Sequence, residues 1–268
     1  MLNVSIVLYH PNWEQVAALT DTLLLSQFVA RVYWVDNSPV AIQQLPIESE
    51  RVEYIYNNGN LGYGAAHNIA IRHSIYDDIP FHLVVNSDII LDVNELDRMY
   101  HFISTNAQVG SLMPRVTYPN GDMQYLCKLL PTPFDVFGRR FLPSAWTAKR
   151  NHRYEMRGSG YDKIMNIPYL SGCFMLLRTE AVLKARLFDE RFFMYPEDID
   201  LTRRIHRDYL TVYFPHATIV HDHAKSSYKS LKMLWVHVIN MCKYFNKWGW
   251  LCDRERKLFN DTAIREYL

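Results

Sequence analysis

The chain has 268 residues, 49% of them hydrophobic, enough to bury one large α/β core. Charged residues make up 21% and the formal net charge is +1, which argues against nucleic acid or a strongly acidic partner held by bulk charge. The charge is uneven, however: residues 225–257 hold eight Lys/Arg against Asp253 and Glu255, a balance of +6, so a basic C-terminal appendage follows a mildly acidic body.

The N-terminal run Leu2-Asn3-Val4-Ser5-Ile6-Val7-Leu8 lacks a basic flank and a small-residue cleavage site, and reads as a first strand rather than a signal peptide. Asn12 is an N-cap candidate with Gln15 three residues on, and Val16, Leu19, Leu23 and Leu24 give the next segment a helical apolar face. Further strands are expected at Val32–Val35, Val52–Tyr56 and His82–Val85, with a helix over residues 63–76 between the last two. Strands spaced by helices point to βαβ units and a mainly parallel central sheet flanked by helices.

Residues 115–168 show little periodicity and are rich in Pro, Gly, Arg and aromatics, which marks a functional loop region or an inserted excursion. Regularity returns at Tyr169–Arg178, at a helix opening near Pro196, and at strands Thr211–Phe214 and Thr218–Val220. The organisation expected is a domain over 1–226, divided at 114 into a ligand-binding half and a catalytic half, and a helical segment over 227–268. The four cysteines form no C-x-x-C pair and no zinc spacing, so reduced thiols in the cytoplasm are the simple reading. No run of about 18 uncharged apolar residues suggests a membrane span.

Ligands of open α/β sheets sit beyond the carboxyl ends of the strands. Three polar clusters fall there: Asp36-Asn37-Ser38, the loop Asn57-Asn58-Gly59-Asn60-Leu61-Gly62-Tyr63-Gly64, and Asn86-Ser87-Asp88. Asp36 alone suits a turn equally well. The Gly-rich loop matches neither the dinucleotide fingerprint nor the Walker pattern. Asp88 interrupts the apolar runs Leu83-Val84-Val85 and Ile89-Ile90-Leu91, and a buried carboxylate is costly unless paired or metal-bound. A hard divalent ion on one or two carboxylates plus substrate phosphates would meet that need.

The run Phe192-Phe193-Met194-Tyr195-Pro196 leads directly into Glu197, Asp198 and Asp200 at a helix start. These acids either complement the helix dipole or line a pocket floor, where one could act as general base. His221-Asp222-His223 follows a strand and offers imidazoles to a metal or to the core.

Taken in order, these segments resemble the inverting glycosyltransferases of family 2, which have the GT-A fold, from about Val4 to Ser227. The landmarks are Val35–Ser38, Asn57–Asn68, Asn86–Ile89, Leu170–Arg178, Phe188–Leu201 and His221-x-x-Ala-x-Ser226, and the flavour is that of the bacterial rhamnosyltransferase-like branch. The resemblance implies that Asp36 recognises a pyrimidine base. It further implies that Asn60, Gly62, Gly64 and Asn68 shape the nucleotide pocket, with Asn86, Ser87 and Asp88 beside the donor diphosphate. Asp88 and His221, in preference to His223, would hold Mg²⁺ or Mn²⁺, Asp198 would be the general base, and Tyr195 and Glu197 would lie on the acceptor side. Asn86 stands where the family's D-x-D motif has its first acid, and Ala224 where a glycine is usual.

The implied donor is a dTDP- or UDP-sugar such as dTDP-rhamnose, and the implied acceptor a glycan or polyprenyl-linked sugar in O-antigen, capsule or other surface polysaccharide synthesis. The alternatives are a sugar-nucleotide nucleotidyltransferase and a non-catalytic nucleotide-sugar or carbohydrate-binding scaffold. Leu231, Leu234, Trp235, Val238, Met241, Cys242, Phe245 and Trp248 recur at helical spacing, flanked by Lys232, Lys243 and Lys247. Residues 228–250 therefore suit either an anionic membrane surface, with the protein at the inner face of the cytoplasmic membrane, or packing on the catalytic body.

Overall fold

The computed structural model of the chain describes residues 1–139, 142–222 and 231–268. His223, Ala224 and Ser226 lie outside the described residues. In chain order the elements are β1 (Leu2–Leu8), α1 (Trp13–Leu25), β2 (Val29–Asp36), β3 (Val52–Tyr56), α2 (Tyr63–Tyr76), β4 (Phe81–Val85), β5 (Ile89–Ile90), α3 (Val93–Thr105) and β6 (Val109–Thr117). There follow β7 (Cys127–Lys128), a π-helical turn (Phe134–Gly138), α4 (Ser144–Tyr154), β8 (Met165–Asn166), β9 (Tyr169–Leu170) and β10 (Phe174–Arg178). The chain continues through α5 (Thr179–Lys184), α6 (Glu197–Ile205), β11 (Leu210–His221), α7 (Leu231–Trp248) and α8 (Arg254–Tyr267).

The main sheet runs β3-β2-β1-β4-β10-β6-β11-β5, with β8 on β11, and β7 pairs with β9 in a small second sheet. The pairs β1–β2, β1–β4, β2–β3 and β6–β11 are parallel, while β10 is antiparallel to both β4 and β6. The mainly parallel α/β architecture is therefore as expected. Parallel strands covered on both faces read as unbroken apolar runs, and Val4, Ile6, Leu83 and Val85 are accordingly fully buried. Each such side chain contributes roughly 1.5–3 kcal/mol through burial.

Asn12 caps α1 as its sequence context predicts: its Oδ1 accepts the Glu14 and Gln15 amides at 3.0 and 3.4 Å. Val16, Leu19 and Leu23 then face the sheet. Asn3 and Ser5 place polar groups inside β1, and these are satisfied locally. Ser5 Oγ lies 2.6 Å from His67 Nδ1 and 2.8 Å from His82 Nε2, and Ser74 Oγ closes the chain from His82 Nδ1 to Asn3.

Two expected runs are redrawn. Tyr169–Arg178 is two strands, broken at Ser171-Gly172-Cys173 where the backbone turns toward α6. Thr211–Phe214 and Thr218–Val220 are parts of one strand, whose register on β6 shifts between Phe214 and Thr218, around Pro215 with its missing N–H.

The C-terminal helices are clamped to the body. Met241, Tyr244 and Phe245 of α7 are buried with Leu130, Tyr169, Phe192 and Ile199. Lys243 Nζ donates to the Arg191 carbonyl at 2.9 Å, and Lys247 pairs with Asp189 at 2.7 Å and Asp200 at 2.6 Å. Packing on the body, one of the two readings of this segment, thus accounts for its inner face and for two of its lysines. Trp235 and Ile239 remain exposed on the outer face. No helix among the described residues is long and apolar enough to cross a membrane.

Candidate active site

The topology collects the polar clusters at one end of the sheet. The carboxyl ends of β1, β2 and β4 are there because these strands are parallel, and β10, running the other way, begins there opposite Val85. β6 is antiparallel to β10 and parallel to β11, so β11 also ends at that side, with His221 in register with Ile89 of β5.

Asp36, at the end of β2, is 1% exposed. Its Oδ1 accepts the Ser38 amide at 2.8 Å and its Oδ2 the Tyr54 hydroxyl at 2.7 Å, so the turn reading is realised. Each carboxylate oxygen keeps a lone pair for a ligand donor. Asn60 Oδ1 accepts the Gly62 amide at 3.0 Å and the Asn37 amide at 3.3 Å, which ties the Gly-rich loop to the β2 turn.

Gly62 has φ +88°, and a Cβ there would come within 2.3 Å of the Phe193 carbonyl oxygen. A Cβ on Gly64 would meet Phe188 Cβ at 2.9 Å. Asn68 is buried and bonded in both directions to Phe188, with its Nδ2 also 3.0 Å from Glu190 Oε1. Gly64 and Asn68 therefore dock α2 on the segment before α6.

Asn86, Ser87 and Asp88 form a half-buried turn between β4 and β5. The expectation of a carboxylate breaking a buried strand is corrected: Asp88 keeps 28% of its side chain exposed, in a turn between two separate strands. It is nonetheless partnered, for its Oδ1 lies 3.3 Å from His221 Nε2. The Asp222 amide donates to the Asp88 carbonyl at 3.0 Å and fixes that approach.

On the other side of the ring, His221 Nδ1 is 3.1 Å from Gln124 Oε1, while Gln124 Nε2 donates to the His221 carbonyl at 2.9 Å. Burial disfavours the charged imidazolium, yet bonds to Asp88 and Cys173 outweigh it and hold the His221 pKa up at about 10. The two donors, a carboxylate oxygen and an imidazole nitrogen, suit a divalent ion whose other positions go to phosphate oxygens and water. Among the described residues no group of three or more His, Cys, Asp or Glu is placed to hold a metal ion.

The three acids of α6 separate cleanly. Asp200 is fully buried and neutralised by Arg204 at 2.7 Å and Lys247 at 2.6 Å, with the Trp248 indole donating to it at 2.8 Å. Asp198 is held by backbone amides, Gly172 to Oδ2 at 2.8 Å and Ile199 to Oδ1 at 2.7 Å. Burial raises its pKa above the usual carboxylate range, while the Gly172 amide and the Lys128 charge pull it back. Glu197 is buried with Oε2 lacking a hydrogen-bond partner, and burial together with the Asp198 charge drives its pKa well up. Tyr195, just ahead of them, has φ +92° and packs edge-on against His237 of α7.

Tyr63 joins the two halves. Its hydroxyl is 2.9 Å from Asn86 Oδ1 and 2.7 Å from the Gly172 carbonyl, whose own amide holds Asp198. Sequence reasoning passed over Tyr63, Gly172, Gln124 and Lys128 as site residues. The first two lie in segments that drew attention, whereas Gln124 and Lys128 sit in the aperiodic 115–168 stretch and carry no local signal.

Comparison with known proteins bears on the family and the fold. The profile of the family described as "Glycosyltransferase like family 2" matches residues 32–241. An N-acetylglucosaminyl-diphospho-decaprenol L-rhamnosyltransferase of Mycobacterium tuberculosis, found in two strains, is 28% identical over 250 residues, 85% of this chain and 78% of that protein. Among solved structures, GalNAc-T7 with UDP, GalNAc and Mn²⁺ aligns with a TM-score of 0.59 at 13% identity, over 82% of this chain but only 43% of that one. S. aureus TarS 1-349 aligns with a TM-score of 0.55 at 15% identity, over 89% of this chain and 65% of that one. Both likenesses speak to the fold alone. The chain is a glycosyltransferase and belongs to the glycosyltransferase-like family 2.

Proposed function

We propose that this glycosyltransferase moves a sugar, with inversion, from a dTDP- or UDP-sugar such as dTDP-rhamnose onto a lipid-linked saccharide in bacterial surface polysaccharide synthesis. The observation that carries the reading is the shared geometry of Asp88–His221 and Asp198, two chemically different sites on one sheet end joined through Tyr63 and Gly172. The mycobacterial relative, which by its name uses L-rhamnose and a diphospho-decaprenol acceptor, supports the donor and acceptor classes.

Asp36, at the far end of the cleft, accepts from the pyrimidine ring while Tyr54 and Ser38 hold its carboxylate in place. The Asn60–Gly62 loop covers the nucleotide, and Asn86 and Ser87 bond the ribose-diphosphate portion. Asp88 and His221 would hold Mg²⁺ or Mn²⁺, which when bound neutralises charge on the departing diphosphate. Asp198 accepts the proton of the acceptor hydroxyl as its oxygen attacks the anomeric carbon from the face opposite the diphosphate. The Gly172 and Ile199 amides keep that carboxylate aimed and partly ionised in its buried setting. Glu197, protonated, offers an O–H to the acceptor, and Tyr195 stacks against it.

The exposed Trp235, Ile239, Trp250 and Leu251 would rest at an anionic membrane surface and place the protein at the inner face of the cytoplasmic membrane. The test is a thermal-shift screen of dTDP-rhamnose and common UDP-sugars with Mg²⁺ or Mn²⁺, followed by transfer assays with N-acetylglucosaminyl diphosphate linked to a short prenyl chain. Metal-dependent stabilisation by one donor and an inverted glycosidic product are expected. Failure of every nucleotide sugar to bind would overturn the reading.

A further inference from the structure

A second cavity, of about 230 Å³, opens between β7, α6 and α7. Lys128, Asp135 and Arg139 line it, and α7 contributes Met233, Leu234, His237 and Met241. Tyr169 and Ile199 also line it, and Ile199 is the chain neighbour of Asp198. Lys128 and Tyr169 both lie within electrostatic reach of Asp198, so the cavity abuts the acceptor side of the site.

The charges here are unevenly matched. Asp135 is neutralised by Arg150 at 2.5 Å, and Glu155 is shared between Arg139 and Arg157. The Lys128 ammonium stands 5.3 Å over the Tyr169 ring and, among the described residues, forms no ion pair with a carboxylate. A half-buried lysine beside a second cation costs free energy that an anion would return. Burial and then Arg139 accordingly push its pKa down.

We infer that Lys128 and Arg139 hold the diphosphate linker of a prenyl-linked acceptor, with Met233, Leu234 and Met241 receiving the first part of its lipid. This rests on the lipid-linked acceptor proposed above. The pairing of two cations with an adjoining apolar wall fits an anion that continues directly into a hydrocarbon. A neutral glycoside would use the wall and leave Lys128 without an ion-pair partner, and a free phosphate would meet Lys128 and leave the wall bare. The cavity is too small for a whole polyprenyl chain, so the remainder leaves past Leu234 toward exposed Trp235 and Ile239. The acceptor sugar then spans from Lys128 to Asp198, which places a ring hydroxyl at the base.

The test measures calorimetric binding of farnesyl diphosphate, farnesol and inorganic diphosphate to the full chain, with the donor site filled by dTDP and Mn²⁺. Farnesyl diphosphate should bind at least tenfold more tightly than either of the others. Lys128→Gln should weaken it about ten- to a hundredfold, the worth of a hydrogen bond between charged groups, while Lys128→Arg retains most of the affinity. A melting temperature for Lys128→Gln within a few degrees of wild type shows that the fold is kept; should it not fold, the wild-type preference alone decides. Equal binding of farnesyl diphosphate and farnesol, or full affinity in a folded Lys128→Gln, overturns the inference even where sugar transfer is observed. Transfer failing on every prenyl-linked sugar, while farnesyl diphosphate binds through Lys128, would instead refute the acceptor proposal and leave the anion site standing.

Discussion

His221 Nε2 faces Asp88 Oδ1 at 3.3 Å because the β5–β11 pairing sets His221 beside Ile89, while Gln124 occupies the other ring nitrogen. With Nδ1–H donated to Gln124 Oε1, the charged ring turns its Nε2–H toward the Asp88 carboxylate, and a divalent ion held by the two side chains would take the place of that proton.

His221→Ala and Asp88→Asn should each abolish the gain in nucleoside-diphosphate affinity that Mn²⁺ confers. Gln124→Leu should weaken Mn²⁺ binding about tenfold to a hundredfold without removing a ligand, as expected when an orienting partner is lost. Calorimetric titration of Mn²⁺ in the presence of dTDP or UDP checks all three; unchanged Mn²⁺ affinity in His221→Ala would dismiss the assignment.

Asp198→Asn should lower kcat by at least about a hundredfold, with donor binding kept, because general-base catalysis supplies that order of acceleration. The ionised form is the active one and burial raises its pKa, so the acid limb of the kcat profile should lie above the value of about 4 typical of aspartate. A limb at or below pH 4 would contradict the role.

Arg203 pairs with Asp253 at 2.7 Å with both side chains almost wholly buried, and Trp248 stacks on its guanidinium at 4.0 Å. Removing one partner of a buried pair costs about 3–5 kcal/mol. Arg203→Met should therefore lower stability by that amount in urea and loosen α7 and α8, read as increased proteolysis after residue 231.

His67 and His82 are buried neutral in the Ser5–Ser74 network, the first held well below its ordinary pKa and the second at about 3, both by burial. The unfolded chain takes up their protons near pH 6.5 and the folded one does not, so stability falls as pH drops below that value. The loss approaches about 1.4 kcal/mol per histidine for each pH unit toward the folded pKa. Urea midpoints measured from pH 7.5 to 5 should fall, and His82→Gln should flatten the dependence.

Gly62→Ala should destabilise the protein and weaken donor binding together, since the added methyl meets the Phe193 carbonyl and φ is positive. Equilibrium unfolding and donor titration on the same preparation separate this from a purely local effect.

The chain's own residues determined the strands β1 to β4, the helix over 63–76 and the Asn12 cap, because period, caps and apolar runs are local properties. The same local signals marked Asp36, Asp88, Asp198 and His221, each placed at the end of a readable element. Tertiary structure decided their partners. That Asp200 is neutralised while Asp198 is held by amides, that Asp88 sits in an open turn against His221, and that α7 buries Met241 and Phe245 while leaving Trp235 outside all depend on distant segments. Gln124 and Lys128 show the limit most clearly: in an aperiodic stretch a residue's role comes wholly from what folds against it, and no local pattern encodes that approach.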